Sequence, residues 1–145
     1  MSDIPVWQVD MGEEKVALLE VSVEEFAPFG ETLKVPLCHN ACDHMLSWRG
    51  QWIPIIGDVN AASQFLIMRV RKLPNLSVIG IAIPKLPKKN AVADTDFQAF
   101  DARQCGIWKK VAVSGYTTKD QNVAIIDPDR LATTGFLDAL SEQLH

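Results

Sequence analysis

Apolar and polar residues along this chain alternate more often than they recur at helical spacing. Phe65–Arg71 (FLIMRVR) is the clearest case: as a strand it puts Leu66, Met68 and Val70 on one face and Phe65, Ile67, Arg69 and Arg71 on the other. Leu73-Pro74-Asn75 supplies a turn, and Leu76–Ile83 (LSVIGIAI) returns as a buried strand that Pro84 stops. Lys15–Val21 reads as an earlier strand. Ser22-Val23-Glu24-Glu25 then has the S-x-x-E form of a capping box, predicting a short helix that Pro28 and Gly30 close. Glu31–Val35 reads as a strand, Pro36–Ser63 as loop and short-strand material, and Pro84–Asn90 as a loop. Phe97–Phe100, Gly106–Val113 and Asn122–Asp127 read as three more short strands. Thr134 is placed as the cap of a final helix with Phe136, Leu137, Leu140 and Leu144 as its apolar stripe. Many short strands with helices only near the ends predict a β-barrel or sandwich.

Composition narrows the class. A chain of 145 residues, 48% hydrophobic and 22% charged, is expected to form one domain, residues 1–145. No apolar run approaches the ~18 residues of a membrane span. The first residues, MSDIPVWQVDMGEEKV, carry acids where a secretion signal carries bases. Three cysteines without framework spacing fit a reducing, cytoplasmic setting. A net charge of −4 argues against nucleic acid as a partner, and the cluster Lys85, Lys88, Lys89 reads as a solvated loop. There is no internal repeat and no glycine-rich phosphate loop.

Candidate chemistry is sparse. Cys38, His39, Cys42 and His44 put four potential ligands into seven residues, but zinc is typically held by two separated pairs, so the expectation is no metal. His44, with Trp48 four residues on, is the preferred proton-transfer histidine. Cys105 lacks a neighbouring base and reads mainly as a small buried hydrophobe. If Lys109 and Lys110 lie on a strand, alternation sends only one of them inward. Arg69, set between Phe65 and Ile67, must reach solvent, pair with a carboxylate such as Asp127, or wait for an anionic ligand.

Three segments carry a family likeness. Val23–Leu33 (VEEFAPFGETL), Phe65–Val78 (FLIMRVRKLPNLSV) and Ala99–Asp127 follow one another in an order that resembles the ureidoglycolate lyases, within which Phe100–Val113 (FDARQCGIWKKVAV) is similar to the late strand. The family's His positions around that tryptophan are occupied here by Gln104, Lys109 and Lys110, and Ile79–Asn90 lacks the family's His- and Glu-rich run. The resemblance implies a cupin-type double-stranded β-helix, usually dimeric, with Arg69 and Trp108 as the matched positions. The expectation is therefore a mainly β, cupin-like barrel with short peripheral helices, forming a homodimer without a cofactor. Its function would be lyase- or isomerase-type acid–base chemistry on a small, carboxylate-bearing molecule. Arg69, His44, Lys109 and Asp127 would be catalytic, and Trp48, Cys105 and Trp108 would line the pocket. The alternative is a non-catalytic binding or scaffolding barrel, and fold likeness does not choose between the two.

Overall fold

The structure is a computed structural model that describes residues 3–144, except residues 13, 29, 37, 38, 100, 102, 104, 119 and 120 and the side chains of residues 94, 98, 99 and 144. In chain order the strands are β1 (Ile4–Asp10), β2 (Lys15–Leu19), β3 (Val23–Ala27), β4 (Thr32–Lys34), β5 (His44–Trp48), β6 (Gln51–Ile56), β7 (Gln64–Arg69), β8 (Val78–Ile83), β9 (Lys88–Val92), β10 (Ala112–Thr118) and β11 (Gln121–Ile126). The helix α1 (Thr134–Leu144) follows. They form two sheets, ordered β10-β11-β2-β1-β9 and β3-β7-β8-β6-β5-β4. Both are mixed, with β11 parallel to β2 in the first and β6 parallel to β8 in the second. The sheets are not closed into a barrel, so the cupin double-stranded β-helix is not the architecture seen.

The alternation read in Phe65–Arg71 is what organises the second sheet. Leu66, Met68 and Val70 enter the large core, together with Ile79, Ile81 and Ile83 of β8. That core takes Val9, Val16, Leu18, Ala124 and Ile126 from the first sheet and Phe136, Leu137 and Leu140 from α1, so it fills the space between sheets and helix. The opposite face carries Phe65, Ile67, Val78 and Ala82 into a second core with Leu46, Trp48, Ile53 and Ile55. A third core, with Val6, Ala17, Tyr116, Val123 and Ile125, lies on the far face of the first sheet. With both faces of β7 and β8 covered, each buried Leu or Ile contributes about 1.5–3 kcal/mol. Gly80 faces the second core opposite Ile55, where a Cβ would overlap the Ile55 side chain.

Several local expectations are corrected. Val23–Ala27 is a strand, not a capped helix, because VEEFA pairs antiparallel with β7; long-range pairing overrides a short local capping pattern. Gly106–Lys110 is a 3₁₀ turn entered through Gly106 at φ +61°, and the strand begins only at Ala112. Asp94–Ala99 is also 3₁₀, and Phe100 lies outside the described residues. Lys88–Val92, assigned mostly to a loop, pairs with β1, itself a strand that the charged N-terminus concealed. Within 36–63, β5 and β6 form a hairpin. The final helix stands as expected for Phe136, Leu137 and Leu140, all buried, while the Leu144 side chain lies outside the described residues.

Candidate functional site

The residues nominated for chemistry disperse. His44 sits on β5 with Nδ1 2.7 Å from Asp43 Oδ1, a contact between sequence neighbours on a half-buried patch. Cys105 is buried in the large core with its thiol pushed up, first by burial and then by the charges of Asp101 and Glu14, the opposite of nucleophile activation. Trp108 is buried too, its ring 5.1 Å from that of Phe136. Lys109 and Lys110 are both exposed at the end of the 3₁₀ turn, so the one-in, one-out rule for strands does not apply to them. Asp127 caps the 3₁₀ turn Pro128–Arg130, accepting from the Asp129 N–H at 3.0 Å, and its other oxygen is 3.5 Å from Arg130 Nε. In the ligand cluster, His39 Nδ1 accepts from the Ala41 N–H and its Nε2 lies 2.8 Å from Asp138 on α1; Cys38 and Gln104 lie outside the described residues.

Arg69 is the centre of what the structure does bring together. Its partner is Glu24 rather than Asp127: Nε donates to Glu24 Oε2 at 2.6 Å, and Nη1 donates to the Val21 carbonyl. Glu24 lies next to Arg69 because β3 pairs with β7. Its other oxygen is 3.5 Å from Arg49 Nη1, and Arg49 Nη2 donates to Glu25 Oε1 at 2.8 Å. Glu25 Oε2 in turn accepts from the indole N–H of Trp48 at 3.1 Å, and the Arg49 guanidinium lies 4.5 Å from the Trp48 ring centroid. The Trp48 hydrogen bond first, then Arg49, holds the Glu25 carboxyl below the ordinary value for a glutamate. Arg49 is fixed from below by the β5–β6 hairpin, where it and Gly50 have φ of +48° and +77°, as a two-residue primed turn requires.

This ladder runs Arg69–Glu24–Arg49–Glu25–Trp48 along the β3 edge and is flanked by two hollows. One, of 330 Å³, is bordered by Glu24, Trp48, Arg69, Arg71 and Val78. The other, of 240 Å³, is bordered by Arg69, Arg71, Asp127 and Asp129. Asp129 Oδ1 accepts from the backbone N–H groups of Arg71 and Lys72, both at 2.8 Å, and so fixes the turn after β7. Trp48, Arg69 and Asp127 thus share one neighbourhood, joined by Glu24, Glu25, Arg49 and Arg71, which sequence reasoning passed over. The usable signal was Arg49-Gly50 between two alternating runs, a hairpin pattern that would have placed Trp48 and Arg49 at a sheet end.

A separate cavity of 330 Å³ is lined mainly by Met11, Ile81, Ala82, Pro84, Trp108 and Leu140. Its carboxylate, Asp58, already accepts from the Asn60 N–H at 3.0 Å.

No protein-family model matches the chain, and no curated protein matches it in sequence. Among solved structures the chain is similar to the scaffolding protein TtCheW from Thermoanaerobacter tengcongensis, with a TM-score of 0.74 and 14% identity, covering 93% of this chain and 92% of that one. The fold is therefore CheW-like. This overturns the resemblance to ureidoglycolate lyases, and with it the cupin assignment and the lyase or isomerase reaction class that rested on it. The shared segments were strand–turn–strand patterns that any mixed β-sheet protein can supply. Among the described residues no helix is long and apolar enough to cross a membrane.

Proposed function

We propose that this chain is a non-catalytic scaffold that holds partner proteins. The observation that carries the reading is its fold, matched over nearly the full length of both chains to a protein described as a scaffold. The chemistry of the nominated residues supports it: the Cys105 thiol is deactivated, Asp127 caps a turn, and Arg69 is neutralised by Glu24. The Arg69–Trp48 ladder supports it as well. Arg and Trp are the side chains enriched at interface hot spots, and here Arg69 of β7 and Trp48 of β5 border one hollow with Arg71 beside them. A pre-formed surface of this kind docks a partner without the cost of ordering its own side chains.

The reading is tested by in-cell cross-linking of the full chain, wild type and Arg49→Glu/Arg69→Glu, followed by mass spectrometry. The expected result is a small set of defined protein partners, with cross-links around the ladder that the double variant loses. Light scattering of the purified chain separates a second copy from a foreign partner on that surface. Catalytic turnover of small carboxylates, ureidoglycolate included, that disappears in Arg69→Met would overturn the reading.

A further inference from the structure

Of the lysines in the Pro84–Asn90 segment, only Lys85 lies in the exposed stretch before the next strand. Lys88 and Lys89 belong to β9, the outermost strand of the first sheet, which pairs with β1 on one side and has no strand on its other side among the described residues. Lys88 stands opposite Gln8, and Asp10 opposite Lys15, which puts Lys88, Gln8, Asp10 and Lys15 on one face of the sheet. With Lys85 and Leu86 they border a hollow of 270 Å³. Three ammonium groups therefore face one carboxylate, and that carboxylate is already occupied. Asp10 accepts from the Gly12 N–H at 3.0 Å and from Lys85 Nζ at 3.4 Å. Among the described residues neither Lys15 nor Lys88 has a carboxylate within ion-pair distance, whereas Lys89, on the opposite face, pairs with Glu20 at 2.9 Å. Leu86 stands beside them, 74% exposed.

Lysines alone on an edge strand are a common guard against unwanted strand pairing. That explanation reaches Lys88 and Lys89 but not Lys15, which lies on β2, two strands inside the sheet, and converges on the same hollow. Gathering uncompensated cations there is unfavourable for the fold by itself and favourable for a ligand of opposite charge. We propose that the β9 edge and the Lys15/Lys85/Lys88 hollow bind an acidic, extended polypeptide segment of a partner. The segment adds as a sixth strand to the first sheet. Its backbone pairs with β9, alternate carboxylates enter the hollow, and an apolar side chain covers Leu86. The inference rests on the scaffold reading only in taking the ligand to be protein.

The test uses the full chain and a synthetic peptide of alternating glutamate and valine with a leading leucine, measured by fluorescence anisotropy, with a glutamine-for-glutamate peptide as control. The glutamate peptide is expected to bind, and to weaken about tenfold or more in Lys15→Gln/Lys88→Gln and again as salt rises past 0.15 M. Lys109→Gln/Lys110→Gln, a charge change outside the hollow, should leave affinity unchanged. Hydrogen exchange of β9 amides should slow in the complex. Equal binding of the glutamine peptide, indifference to the Lys15/Lys88 change, or no protection of β9 would each overturn the proposal. So would tighter binding to phosphatidylserine vesicles or an oligonucleotide than to the peptide. If peptide binding fails while the cross-linked partners persist, this inference falls and the scaffold reading stands; the converse result removes the scaffold reading alone.

Discussion

The two sheets end in edges that treat positive charge in opposite ways. At the β3 edge, Arg69 and Arg49 are interleaved with Glu24 and Glu25, and the series finishes on a buried indole. At the β9 edge, Lys15, Lys85 and Lys88 border one hollow with Asp10, which pairs with Lys85 alone and whose best partner is a backbone N–H. The first arrangement is closed: its charges cancel and its geometry is fixed by the core beneath. The second is open, because Asp10 pairs with Lys85 alone and leaves Lys15 and Lys88 without a carboxylate at ion-pair distance among the described residues. A closed ladder contributes to the fold and offers a partner shape, whereas an open cluster contributes little to the fold and offers a partner charge.

The largest effect should come from cutting the ladder at its root. Trp48 is 8% exposed and packs in the second core with Leu46, Ile53 and Ile55. Trp48→Ala removes that packing, the donor to Glu25 and the surface under Arg49. A loss of about 3–5 kcal/mol in urea unfolding is expected, as for other buried aromatic truncations. A loss below about 1 kcal/mol would mean that the ladder is not tied to the core and that the contrast with the lysine edge is one of composition only.

Next in size is Glu24→Gln, which leaves Arg69 with the Val21 carbonyl and Arg49 with Glu25. Arg69 is half exposed, so the pair is partly screened and the expected loss is about 0.5–1 kcal/mol. Differential scanning calorimetry at low and high salt checks it, since the loss should shrink as salt rises. An unchanged melting temperature at low salt would place Glu24 outside the ladder's energetics.

What the sequence made legible follows the range of the forces involved. The two faces of Phe65–Arg71 could be read because alternation is local, and they feed two different cores as the pattern required. The apolar stripe of α1 was legible for the same reason. Val23–Ala27 was misread because Ser22-Val23-Glu24-Glu25 looks like a capping box, and only pairing with β7, roughly forty residues along the chain, makes it a strand. The site suffered most from this limit. Arg69 was correctly seen to need a partner, but Asp127 was picked on charge alone, while Glu24 is supplied by a register no single segment encodes. Lys109 and Lys110 were placed by an alternation that fails because the segment is 3₁₀. The likeness to ureidoglycolate lyases failed in a related way, by taking the order of common strand patterns as a signature of one way of assembling them.

The acid limb of the stability curve sharpens the comparison further. Glu25 is held below the ordinary range for a glutamate, first by Trp48 and then by Arg49, whereas Asp10 is held down first by the Gly12 N–H. A depressed carboxylate stabilises the fold above its unfolded pKa, and that contribution is lost as pH falls through the folded value. Trp48→Phe removes the first cause, so the Glu25 midpoint in a carboxyl-carbon NMR titration should rise and stability should fall less steeply below about pH 4.5. Lys85→Gln should move the Asp10 midpoint by less, because its main hydrogen bond is to backbone. If Lys85→Gln moves Asp10 as far as Trp48→Phe moves Glu25, the lysine edge is as closed as the arginine edge.

The smallest expected effect carries the sign that decides between the two descriptions. Removing a charge from a closed ladder costs stability; removing one from a cluster of like charges relieves repulsion. Lys88→Gln keeps the length and hydrogen-bonding capacity of the side chain and leaves Lys15 and Lys85 facing Asp10 alone. At low salt it should therefore raise stability by about 0.2–0.5 kcal/mol, the scale of an interaction between exposed charges, since β1 separates Lys88 from Lys15. The gain should vanish above about 0.5 M salt, where the Debye length falls to about 4 Å. Urea unfolding at the two salt concentrations, with Lys109→Gln as a charge-matched change elsewhere, provides the measurement. A loss of stability at low salt would mean that Lys88 has a compensating partner within the fold. The β9 edge would then be as neutralised as the β3 edge, and no charge would be left over to recruit an acidic segment.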